Sequence, residues 1–405
     1  MTEHSLGIKL AEQERVVRVI YIGSYIPREC GIATYTKDLT TAINVLNPLC
    51  LSEIMAIDEN GNDRNYPWEV KYKIRQDDLD CYTKAAEYIN QSSADVVHIQ
   101  HEFGIFGGKH GEYIIPFMQA ITKPIITTLH TVLDQPDEHR KKLIQEIAEL
   151  STVTIVMIKA ASDRLNEVYG IAKEKIVVIP HGVPDIPYGP TLHYKKELGY
   201  QENMILSTFG LINPGKGIEY VLEALPEVVK KFSKLKFLII GATHPVLVKR
   251  EGEKYREKLQ ELATRLGLNK NVEFINRYLS LDEVVQYLRA TDIYISPYLQ
   301  SEQIASGTLA YALGAGRACI STEYLYAKEV LADGRGILVP FRDPQAMTEK
   351  ITELTESAEK RNEIEKKAYS YGRTMIWSNV ALKHLNLFWL IARDNKAGSE
   401  NGDQS

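Results

Sequence analysis

The chain has 405 residues, too many for one ordinary hydrophobic core and suited to two domains. Hydrophobic residues make up 44% and charged residues 25%, the balance of a soluble globular protein, and a net charge of −5 leaves no overall basic field to recruit nucleic acid. Cys30, Cys50, Cys81 and Cys319 lie far apart with no C-x-x-C pair, which argues against a disulfide framework or a structural zinc site.

The N-terminal stretch MTEHSLGIKLAEQERVV is acidic and polar where a secretion signal needs an apolar run. Apolar runs such as Phe237–Ile240 and Thr154–Ile158 fall far short of a membrane span. A reducing, cytoplasmic compartment is expected, and this stays compatible with weak contact at a membrane surface. Strands are then predicted at Val16–Ile22, Leu51–Ile57, Asp95–Gln100, Pro124–Leu129, Val153–Ile158 and Lys175–Ile179. Helices are predicted between them at Ile32–Ile43, Leu79–Ile89, Asp137–Leu150 and Ala160–Tyr169. Continuous apolar strands separated by helices point to a parallel sheet covered on both faces. Pro184, Pro187, Gly189 and Pro190 crowd the stretch Val183–Asn203, which is expected to be the interdomain linker.

The alternation restarts beyond it. Strands are expected at Met204–Gly210, Phe237–Gly241, Val272–Ile275, Ile293–Ser296, Ala318–Ser321 and Gly336–Val339. Helices are expected at Lys216–Phe232, Arg250–Leu266, Leu281–Leu288, Gly307–Leu313, Pro344–Glu359, Arg361–Gly372 and Trp377–Ala392. The polar end KAGSENGDQS is expected to be disordered. Domain bounds follow: 1–185, a linker over 186–202, 203–375, a terminal helix over 376–394 and a tail over 395–405.

Open parallel sheets bind ligands beyond the carboxyl ends of their strands. After the first strand, Gly31 stands where a loop meets a helix, either a turn glycine or a place for a ligand to approach the backbone. His98 and His101 lie three residues apart, but without a carboxylate–histidine set they suit the core better than a metal. His130 ends the strand PIITTL and is either a hydrogen-bonded core histidine or a cleft residue. In the second half, NPGKG places Lys216 at a helix start, suited to phosphate, although the Walker pattern is absent. Ser306, Gly307 and Thr308 open an apolar helix and can offer backbone N–H groups to an anion. Glu302, just upstream, is a solvated side chain or an acceptor for sugar hydroxyls.

Taken in order, PRECGIATYTKDL, VVHIQHEFGIFGG, TLHTV, VVIPHGV, FGLINPGKGIEYVLEAL, LIIGATHP, YLRATDIYISPY, ALGAGRACIST and GRGILVPFRDP resemble the retaining GT-B glycosyltransferases of family four. The resemblance runs from about Val16 to Trp389. It implies an α/β GT-B architecture, two Rossmann-like domains facing a central cleft, with the C-terminal helix crossing back to the first. It implies a nucleotide-sugar donor, such as GDP-mannose or a UDP-sugar, and a carbohydrate or glycoconjugate acceptor, as in polysaccharide biosynthesis. It assigns Gly31 and Ile32 to the donor phosphates or acceptor, His130 to the donor sugar and Lys216, beyond Gly210, to the diphosphate. Arg277 and Tyr278 fall near the nucleobase; Ser306, Gly307 and Thr308 offer amides to the sugar and distal phosphate.

The sequence also departs from the family pattern. Leu211 stands where an arginine usually helps bind the diphosphate, and Gln303 and Tyr311 occupy the two usual glutamate slots, leaving Glu302 to take the first role. Neither metal nor cofactor is expected. A related epimerase or phosphorylase, and a non-catalytic nucleotide-sugar-binding homologue, are the alternatives. Oligomeric state is not legible.

Overall fold

The computed structural model describes residues 16–59 and 64–402. Most of the N-terminal stretch expected to lack a secretion signal lies outside these residues, as do residues 403–405 of the polar tail. The chain divides into two units, each with its own parallel sheet. The first takes the chain to Val156, then Ser162–Ile179 and the C-terminal segment from Ser378; the second takes Met157–Ala161 and Pro180–Trp377.

In the first unit the strands are β1 (Val19–Gly23), β2 (Glu53–Asp58), β3 (Val70–Arg75), β4 (Val96–His101), β5 (Ile125–Leu129), β6 (Val153–Val156) and β7 (Ile176–Val178). They lie in the order β3-β2-β1-β4-β5-β6-β7, and every pair is parallel. All residues of β1, β4 and β5 are buried, as continuous apolar runs require when helices cover both faces. Helix Gly31–Leu46 buries Ala33, Tyr35, Leu39 and Ile43 at helical spacing. The terminal helix packs into this unit: Phe388 lies edge-on to Tyr21 with centroids 6.2 Å apart, and His384 lies 5.5 Å from His98.

The second unit repeats the plan with β8 (Met204–Phe209), β9 (Leu235–Ile240), β10 (Val272–Ile275), β11 (Ile293–Ser296), β12 (Ala318–Thr322) and β13 (Ile337–Val339), ordered β10-β9-β8-β11-β12-β13. Strand alternation builds both of its cores. Leu206, Phe237 and Ile239 face helix Ile218–Lys231, which buries Val221, Leu222, Leu225 and Val228 against them. Ile205, Leu238 and Ile240 face the other way, toward Tyr200 and Leu279. Each fully buried Leu or Ile contributes about 1.5–3 kcal/mol.

In both sheets the strand order reverses beside the first strand of the unit, between β1 and β4 and between β8 and β11. Such reversals leave a crevice at the carboxyl ends of the two strands, because the connecting helices leave on opposite faces.

Several elements differ from expectation. Val70–Arg75 adds an edge strand, with burial alternating along it. The stretch expected to be a linker belongs to the second unit from Pro180 onward and contains helix Leu192–Glu197. That helix is anchored by Lys195, which donates to the Asn203 carbonyl at 2.9 Å and pairs with Asp292 at 2.5 Å. The helix expected over Arg250–Leu266 is two, Pro245–Glu251 and Lys254–Arg265, broken at Gly252 where φ is +67°. The last helix runs Trp377–Gly402, through most of the segment expected to be disordered. Among the described residues no helix is long and apolar enough to cross a membrane.

Candidate active site

At the end of β8 the chain turns through Gly210 (φ +129°) into the turn Pro214–Lys216. Asn213 caps that turn by accepting the Gly215 N–H at 2.9 Å. Gly217 then takes a left-handed conformation (φ +62°), and a Cβ there would meet the Pro297 carbonyl at 2.2 Å. The loop is therefore pressed against the end of β11, where the Leu299 N–H donates to the Gly215 carbonyl at 2.9 Å. The Lys216 ammonium lies 3.6 Å from the centroid of the Tyr298 ring. A Cβ at Gly210 would stand 3.3 Å from the Thr308 methyl and 3.9 Å from this ammonium, so Gly210, Lys216 and Thr308 converge.

Helix Gly307–Gly314 begins beside them, with Ser306 as its N-cap. The Tyr298 hydroxyl bonds the Thr308 hydroxyl at 2.6 Å, and Ser306 Oγ lies 3.3 Å from Thr308 Oγ1. Burial alone would push the Tyr298 phenol up, but the Lys216 charge over its ring and the hydrogen bond with Thr308 draw it below its usual range. Behind the helix start, His181 Nδ1 donates to the Gly182 carbonyl at 2.7 Å, which leaves Nε2 as the acceptor. A Cβ at Gly307 would lie 3.0 Å from that Nε2, and burial holds the imidazole near pKa 4, hence neutral. His244 Nδ1 accepts from the Val246 N–H at 3.3 Å; burial and the Lys216 charge lower its pKa. The arrangement is cationic, rich in N–H and hydroxyl donors, and suited to an anion.

The matching end of the first unit has different chemistry. Gly31 opens its helix into empty space, with nothing within 4 Å of where a Cβ would stand, and Ile32 behind it is half-buried. Cys30 caps this helix, its sulfur accepting from Ala33 N at 3.3 Å and lying 3.1 Å from Ser24 Oγ. His130, half-buried beyond β5, bonds through Nε2 to Gln100 Oε1 at 2.8 Å and meets the Tyr35 ring edge-on at 5.0 Å. The Gln100 amide reaches back to His98 Nε2 at 3.2 Å, and His98 Nε2 bonds Thr128 at 2.8 Å. Next to them burial raises the Glu102 carboxyl, which is held by Thr131 and accepts the Phe103 N–H at 3.0 Å. His98 and His101 are both core residues. Among the described residues no group of three or more His, Cys, Asp or Glu is arranged to hold a metal ion.

The family description "Glycosyltransferase Family 4" matches residues 49–185, and "Glycosyl transferases group 1" matches residues 192–371. The chain belongs to the family 4 glycosyltransferases. An alpha-monoglucosyldiacylglycerol synthase of Streptococcus pneumoniae is 23% identical over 73% of this chain and 70% of its own length. A phosphatidyl-myo-inositol mannosyltransferase of Mycolicibacterium smegmatis is 24% identical over 80% and 79%. Among solved structures, a sucrose-phosphate synthase of Thermosynechococcus elongatus aligns with TM-score 0.75 at 16% identity, over 94% of this chain and all of that one. HepE of Anabaena, solved with UDP and glucose, aligns with TM-score 0.72 at 14% identity, over 92% and 99%. At such identities the likeness establishes the GT-B fold alone. This glycosyltransferase is thus a divergent member with two Rossmann-like domains.

Within this family 4 member, the residues expected from sequence at the donor end do not all meet. Gly210, Lys216, Ser306, Gly307 and Thr308 are brought together. Arg277 and Tyr278 are exposed beyond β10, where the Arg277 guanidinium pairs with Glu283, itself part of the Ser280 capping box. Glu302 is half-buried in the loop before the helix. In the departed glutamate slots, the Gln303 amide donates to the Ala305 carbonyl at 2.7 Å, while Tyr311 is buried edge-on to His181. Tyr298, His181 and His244 were missed. Their only signal was position: Tyr298 and His244 follow strand ends, and His181 sits in IPHGV where the chain enters the second unit.

Proposed function

We propose that this glycosyltransferase moves a hexose from a nucleoside diphosphate sugar, GDP-mannose or a UDP-sugar, to a carbohydrate or glycoconjugate acceptor with retention of configuration. The observation that carries the reading is the convergence of the Lys216 ammonium, Gly210 and the Ser306–Thr308 helix start at the β8/β11 reversal. As the glycosidic bond breaks, the diphosphate gathers charge. A preorganised ammonium and N-terminal amides stabilise that charge more than they stabilise the ground state. They do so without a divalent ion. The leaving phosphate takes the acceptor's proton, so no protein nucleophile is required and positioning carries much of the rate. In this reading His130, held by Gln100, hydrogen-bonds the donor sugar, and Glu302 accepts from its hydroxyls. Names among the relatives and structural neighbours support it: a mannosyltransferase, a glucosyl-lipid synthase and proteins solved with UDP or UDP-glucose.

A thermal-shift panel of nucleoside diphosphates and their sugars tests the reading. Stabilisation follows mass action, so one base should stand out. Turnover of that donor after EDTA stripping should be undiminished, and the product should keep the donor's anomeric configuration. Activity lost to EDTA and restored by manganese would overturn the metal-free mechanism; an inverted product would overturn retention.

A further inference from the structure

We propose that Tyr298 is a positioning residue for the donor: its ring face holds the Lys216 ammonium in place while its hydroxyl bonds Thr308, so that the lysine turn and the helix start act as one diphosphate receptor. The inference rests on reading this end of the second unit as the diphosphate site. Four observations carry it.

The first is the contact itself. An ammonium 3.6 Å from the ring centroid is well inside the reach of a cation–π interaction. The second is the rigidity of the ring. Tyr298 is buried, and it stacks on Tyr324 with centroids 5.4 Å apart and planes 15° apart. The Tyr324 hydroxyl is in turn 2.9 Å from Ser296 Oγ on β11. The third is the hydroxyl, 2.6 Å from Thr308 Oγ1 in the first turn of helix Gly307–Gly314. The fourth is backbone: Pro297 and Leu299 flank Tyr298, and they are the residues that touch Gly217 and Gly215 on either side of Lys216. The lysine turn and the ring are therefore clamped to each other at three points.

The choice of partner has a physical consequence. A carboxylate would hold the ammonium more tightly but would cancel the charge that a diphosphate needs. The face of an aromatic ring holds it by its quadrupole and leaves its net charge intact. A lysine on a flexible stem otherwise loses much rotamer freedom on binding. Parking it beforehand moves that cost from ligand binding to folding.

The test is a double-mutant cycle read by calorimetry with UDP, GDP and inorganic pyrophosphate as probes. Tyr298→Leu should weaken the best-bound probe about tenfold, and Tyr298→Phe, which keeps the ring, only about two- to threefold. In a Lys216→Ala background, Tyr298→Leu should have no further effect, because the interaction it removes is already gone. A loss of equal size with and without Lys216 would mean that the ring serves the fold alone, and the proposal falls. A phenylalanine variant as weak as the leucine variant would overturn the role of the ring face. If Lys216→Ala weakens binding while Tyr298→Leu does not, the diphosphate reading stands and this proposal fails; if the unaltered protein binds none of the probes, both fail. Should the leucine variant not fold, Tyr298→Phe combined with Thr308→Val takes its place. Non-additive losses are expected there, and full additivity would overturn the tie.

Discussion

The two strand-order reversals, β1/β4 and β8/β11, are topological twins with opposite chemistry. The one in the second unit gathers an ammonium, hydroxyls and a helix start around Gly210. The one in the first gathers hydrogen-bonding groups, with His130, Gln100 and His98 linked in series and the Glu102 carboxyl raised by burial. The same topology supplies a crevice in each case, and the side chains decide whether that crevice addresses charge or hydroxyl groups. The comparison also extends behind the sites. The first unit buries His98, His101 and His384, whereas the second buries His181.

Acid should separate the units most. Burial lowers the folded pKa of His101 to about 3 and of His384 to about 4, and holds His98 well below its ordinary value. Neither ring nitrogen of His101 has a hydrogen-bond partner, nor does His384 Nε2. The unfolded chain protonates these rings near pH 6.5 while the folded unit does not, so stability is present above that pH and is lost as pH falls toward the folded values. Each such group can cost up to about 1.4 kcal/mol per pH unit in that window. Hydrogen exchange at pH 7 and 5 should therefore show the first unit losing more protection than the second. Equal losses, or none, would erase this difference between them.

A smaller effect is expected from His130→Ala. It should cut kcat/KM on the order of a hundredfold, the cost of removing one well-placed transition-state hydrogen bond. The melting temperature should change little, since the ring is only half-buried. A large loss of stability with normal activity per folded molecule would return His130 to the core and leave the first crevice without a chemical role. Lys216→Ala should weaken nucleoside diphosphate binding by about 1.5–3 kcal/mol, the worth of a charged hydrogen bond. Calorimetry of GDP and UDP checks this, and unchanged affinity would remove the charge from the second crevice.

Both sheets were legible because their central strands are uninterrupted apolar runs, as in VVHIQ and LKFLII. Elements with weaker burial were not. VKYKIR buries only Ile74 fully, so it reads as polar chain until β2 lends it an edge. Leu192–Glu197 hides among prolines and is fixed by a distant aspartate, Asp292, which no local pattern announces. The lysine turn and the S-G-T helix start could be named from glycine placement and capping residues. Tyr298 could not, since a tyrosine after ISP looks like any other core aromatic until the fold sets Lys216 on its face. His181 and His244 share that difficulty: what matters about each is which nitrogen carries the proton, and their backbone partners decide this.

Gly217 has a consequence for anyone wishing to change what this glycosyltransferase accepts. With φ at +62° and a carbonyl 2.2 Å from where a side chain would begin, the position has an alphabet of one letter. Randomising the turn around it would mostly yield chains that cannot close against residues 297–299. Useful diversity lies at Arg277 and Tyr278, which are exposed. On the proposed reading, which sets those two positions near the nucleobase, a library spread over them is expected to change base preference while Lys216 and the Ser306–Thr308 helix start stay as they are.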